Sequence, residues 1–160
     1  MVFGITDARA YRKKVQVDLG NFMAAIADPY CAINACTSIF HLQEWLWTHN
    51  LKSMNPPIVR GSVLRGSKGK NSWLGWLDQN CPYFGLIQEL TNGSKHASPV
   101  HSSSVVSGYG SGPYGFGPFG KPYLLIDMKE GEGTDRYRVA SNVVREAGDF
   151  MITLSIELGA

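Results

Sequence analysis

Asp28-Pro29-Tyr30-Cys31-Ala32-Ile33-Asn34-Ala35-Cys36-Thr37-Ser38-Ile39-Phe40-His41-Leu42-Gln43-Glu44-Trp45-Leu46-Trp47 is the stretch on which the fold class turns. Asp is a strong N-cap, because its carboxylate accepts N–H groups of the first turn. Pro suits the first helical position, where its missing N–H is not needed. The pair predicts a helix starting at Asp28 and running to about Asn50. Ala32, Ala35, Cys36, Ile39, Leu42 and Leu46 recur at spacings of three and four, and Phe40 and Trp47 widen that face. A helix apolar over so much of its circumference belongs at the centre of a bundle.

Upstream, Val15, Leu19, Phe22, Met23 and Ile26 predict a first helix over about 7–27, with Arg12, Lys13, Lys14 and Asp18 on its other faces. Downstream, the pattern dissolves over 51–70. Pro56-Pro57, the glycines 61, 66 and 69, and the basic residues Lys52, Arg60, Arg65, Lys68 and Lys70 read there as a mobile, solvated connection, with phosphate contact as its functional alternative. Ser72 is expected to cap a short helix from Trp73 to about Gln79. Phe84, Leu86, Ile87 and Leu90 predict a third core helix, and Asn92-Gly93 its left-handed stop.

Six glycines, two prolines and four aromatic residues between Gly108 and Gly120 exclude a helix. The segment is expected to lay Tyr109, Tyr114, Phe116 and Phe119 on the bundle. Tyr123–Met128 reads as a strand, Gly131-Glu132-Gly133 as a turn and 134–138 as the returning strand. Val143, Ala147, Phe150, Met151, Leu154 and Leu158 predict a last helix over about 139–158, with Gly148 weakening it by roughly 1 kcal/mol. The expected architecture is mainly α, a four-helix up-and-down bundle forming one domain over 1–160. A Gly/aromatic-rich loop and a β-hairpin are inserted over about 100–138, before the last helix.

The 160 residues carry 15 basic and 13 acidic side chains, a formal charge of +2. That lacks the strongly basic footprint of nucleic-acid binding. Cys31, Cys36 and Cys81 have no metal-type spacing. The first two, five helical steps of about 100° apart, fall on different faces, so buried reduced thiols are expected. No basic region followed by an apolar run opens the chain and no stretch spans a bilayer, which points to a cytoplasmic protein without a membrane partner.

Gly115-Phe116-Gly117-Pro118-Phe119-Gly120-Lys121 has the GxxxxGK skeleton of a phosphate loop. Pro122 replaces the magnesium-holding Ser or Thr, Pro118 removes a backbone donor, and a strand is expected where a helix should open. No nucleotide is assigned there, and no cofactor elsewhere. His41 and His49 bracket Trp45 without the acidic and histidine partners of a helical zinc site, so no metal is assigned. Ser102–Ser104 have no base fixed beside them. The remaining polar element is Leu90-Thr91-Asn92-Gly93-Ser94-Lys95-His96 at the end of a helix, where Lys95 offers a cation and His96 a group that exchanges protons near neutral pH.

Four helices with Asn92-x-x-x-His96 leaving the third resemble the HEPN superfamily of helical bundles. Many members carry Arg-Asn-x-x-x-His there, and the catalytic ones are metal-independent, dimeric ribonucleases. Thr91 stands at the position of that arginine. Ala32-x-Asn34-Ala35 followed by Phe40–Trp47, with the Asn-Gly-Ser-Lys-His element and the Gly/Phe-rich loop, is similar to a group of uncharacterised bacterial proteins to which no activity attaches. The aromatic-rich loop, the missing arginine and the near-neutral charge point to a non-catalytic HEPN-like bundle, expected as a homodimer, that binds a macromolecular partner, protein or RNA. One alternative is an endoribonuclease with His96 moving the proton, Lys95 on the phosphate and Asn92 positioning. Another is a small-molecule pocket lined by Trp45, Trp47, Trp73 or Trp76.

Overall fold

The computed structural model describes residues 4–64, 69–96, 102–106, 117–118 and 120–160, with the backbone alone at 94–96, 102–105 and 134. Tyr109, Tyr114, Phe116 and Phe119 of the expected aromatic loop lie outside the described residues, as do Arg65, Gly66 and Lys68.

Asp7 caps α1 (Ala8–Ala24), accepting the Ala10 N–H at 2.8 Å, and Tyr11, Val15, Leu19 and Phe22 form its buried face. Asp28 caps α2 (Pro29–Leu46) as its sequence predicts, accepting from the Tyr30 N–H at 2.8 Å and the Cys31 N–H at 3.3 Å. Those two donors hold the Asp28 carboxyl below its ordinary value. The chain then continues through a π-helical turn, Trp47–Leu51. α2 packs against α1, against α4 (Phe84–His96) and against α5 (Ala140–Glu157), the central position its apolar circumference requires.

Within the stretch 51–64, whose composition reads as a loop, a short hairpin forms. β1 (Ile58–Val59) pairs antiparallel with β2 (Ser62–Val63). Arg60 and Gly61 between them both adopt positive φ, 46° and 79°, as a two-residue type I′ hairpin turn requires. α3 (Gly69–Asn80) begins three residues before Ser72, so Ser72 is an interior residue and not a cap. Asn92-Gly93 likewise fails to stop α4, which runs on to His96. Ile87 and Thr91, both fully buried, keep this helix seated on the bundle, and one interior glycine costs only ~1 kcal/mol against such packing.

The expected hairpin is a three-stranded antiparallel sheet, ordered β3 (Ser102–Val106), β4 (Tyr123–Asp127), β5 (Tyr137–Val139). A 3-10 turn, Gly133–Arg136, takes up 134–136, expected within the returning strand. β4 is buried on both sides. Leu124 and Ile126 join the helical core, while Tyr123 and Leu125 meet Val106 and Val139 in a smaller cluster. The Leu124 N–H donates to the Ile26 carbonyl at 3.1 Å, tying the sheet to the α1–α2 connection. Gly148, expected only to weaken α5, is buried where that helix meets α1 and α2. A Cβ there would lie 2.9 Å from Leu19 Cδ2 and 3.2 Å from Ile39 Cδ1, so the glycine permits the close approach.

Arg136 closes the sheet at one end with two hydrogen bonds of 2.7 Å to the Asp127 carboxylate, which also accepts the Lys129 N–H at 2.9 Å. Arg136, and then the Lys129 amide, pull the Asp127 carboxyl down to about 2. A carboxyl depressed in the folded chain contributes stability above its unfolded value of about 4, lost as the pH falls below it. Thermal unfolding followed from neutral pH toward pH ~2 should therefore show a Tm that declines less steeply in Asp127→Asn than in the native chain. Parallel profiles would remove this pair from the acid sensitivity. No helix among the described residues is long and apolar enough to cross a membrane.

Candidate functional site

The continuation of α4 changes the meaning of its last turn. Positions 92, 95 and 96 stand at i, i+3 and i+4 and share one side of the helix, instead of emerging from a broken end. The side chain of Asn92 is exposed. A helix C-terminus favours cations through its unpaired carbonyls, which suits Lys95 and His96 at the final positions. Thr91, where the HEPN resemblance places an arginine, is 0% exposed and faces the bundle. At this register an arginine would point inward, away from the side that carries Asn92.

The other candidate residues are dispersed. His49 stacks on Trp45 with ring centroids 5.3 Å apart, and Tyr11 stacks on Trp45 at 5.1 Å. His41 is bound to Glu44 at 3.3 Å, and Glu44 also accepts from Lys70 at 3.3 Å. Burial raises the Glu44 carboxyl, but the hydrogen bonds from His41 and Lys70 outweigh it and leave the group below its ordinary value. Trp73 and Trp76 stack together on α3 at 5.9 Å, and the edge of Trp47 lies over Gly69. Trp45, Trp47 and the Trp73–Trp76 pair thus each have their own packing partners. Cys36 and Cys81 are buried thiols, each pushed up to about 12 by that burial; Cys31 is only half-buried, contrary to expectation, and its thiol lies 3.5 Å from Asp28. No group of three or more His, Cys, Asp or Glu side chains suited to a metal ion occurs among the described residues.

A second surface was hidden in the stretch that reads as a loop. Ile58 and Val63 face each other across the β1–β2 hairpin and are 48% and 39% exposed, with Met54 exposed nearby in the chain. Val59 and Leu64 are buried and anchor the hairpin to the core. Its turn is fastened as well: the Arg60 guanidinium donates to Glu157 at 2.8 and 2.9 Å and lies 4.8 Å from the centre of the Phe150 ring. Arg60 in turn holds the Glu157 carboxyl below its ordinary value. Two of the basic residues offered to phosphate, Arg60 and Lys70, are thus engaged with Glu157 and Glu44. Between β2 and α3 runs an open groove of about 420 Å3 with Val63, Leu64, Gly75 and Trp76 in its walls. The signal for the hairpin is present in the chain, since Arg60-Gly61 is flanked by short β-branched pairs, but the surrounding Pro and Gly residues mask it.

Comparison with protein-family models, with curated proteins and with solved structures finds no match to this chain.

Proposed function

We propose that this protein is a non-catalytic, HEPN-like helical bundle, with α1, α2, α4 and α5 as its long helices, that binds a macromolecular partner. The observation that carries this reading is the Ile58–Val63 pair. Apolar side chains directly opposite on a hairpin form one continuous patch, and here the hairpin is held rigid from behind by Val59, Leu64 and the Arg60–Glu157 fork. A surface that is apolar, exposed and fixed suits recognition without an induced rearrangement. The reading includes a homodimer, in which a second copy would cover Tyr30, 77% exposed, and Ile33 one turn further along α2. It also includes a reducing, cytoplasmic setting, with which three free cysteines are compatible.

The endoribonuclease reading gains one specific support, the placing of Asn92, Lys95 and His96 within a single helical turn. Such a site needs a cation on the phosphate and an exchangeable proton, and Lys95 offers a point charge where arginine would offer a fork. RNA cleavage in the presence of EDTA, comparing the native chain with His96→Ala, separates the two readings. The expected result is no cleavage by either protein, with sedimentation showing a dimer. Cleavage by the native chain that disappears in His96→Ala would replace the binding reading with catalysis.

A further inference from the structure

We draw no further inference here: the strongest candidate, the cavity of about 260 Å3 lined by Tyr83, Arg138 and Asn142 at the start of α5, carries nothing, because it rests on a helix N-terminus and nothing described shows what covers its edge at Gly117, which adjoins residues outside the described ones.

Discussion

Trp73→Ala is expected to destabilise the protein by about 3–5 kcal/mol, the range for removing a fully buried tryptophan. Trp73 has no exposed surface, stacks on Trp76 and donates its indole N–H to the Gln43 carbonyl of α2 at 3.1 Å. α3 has few other anchors, since its remaining buried residues are Trp76 and Leu77. The loss should therefore reach beyond a local cavity and loosen the helix that walls the groove. Trp73→Phe keeps an aromatic ring in the site but loses the donor, and should cost less, about 1–2 kcal/mol. Urea unfolding of the three proteins, read by far-ultraviolet circular dichroism, checks the order. A Trp73→Ala variant within ~1 kcal/mol of the native chain would mean that α3 does not depend on this contact.

The second large effect is expected at Gly148. Helix propensity alone predicts that any larger residue in the middle of α5 stabilises it, by ~1 kcal/mol for Ala. Packing predicts the reverse, because the space a Cβ needs is occupied by Leu19 and Ile39 at 2.9 and 3.2 Å. Both belong to the buried core, where a displaced side chain has no empty volume to enter. Gly148→Val adds two further methyl groups and a stiff χ1, and overpacking on this scale costs about 3 kcal/mol. Gly20 provides the opposite case. It lies within α1, exposed, with no atom within 4 Å of a Cβ. Gly20→Ala should stabilise by ~0.5–1 kcal/mol. Denaturant midpoints that move in opposite directions for the two substitutions would establish that close approach of α5, and not backbone propensity, keeps glycine at 148. A stable Gly148→Val protein would contradict it.

The candidate sites were legible to different degrees. Asn92, Lys95 and His96 stand out because their chemistry is visible in residue type alone, yet their sharing of one helical turn depends on α4 ignoring the Asn-Gly stop. The inward direction of Thr91 depends on the same continuation. The Ile58–Val63 surface was hidden for a different reason. Its strands are two residues long, too short for alternation to register as a pattern, and they sit among prolines, glycines and lysines that describe a loop equally well. The Arg60–Glu157 contact that fastens the turn joins residues 97 positions apart, a separation no local pattern carries.

What the amino-acid sequence determined by itself is the set of features that depend on near neighbours. Asp7 and the Asp28-Pro29 pair start their helices, because a capping carboxylate needs only the next three residues. The spacing of Ala35, Cys36, Ile39, Leu42 and Leu46 makes α2 a core helix, because each of those side chains falls on a face set by the 3.6-residue turn. Only the tertiary structure decided that 58–63 forms a hairpin, that α4 passes through Asn92-Gly93, that β3 adds a third strand and that Gly148 is a point of contact. In each case the local preference is worth about 1 kcal/mol or less, and burial against elements distant in the chain outweighs it.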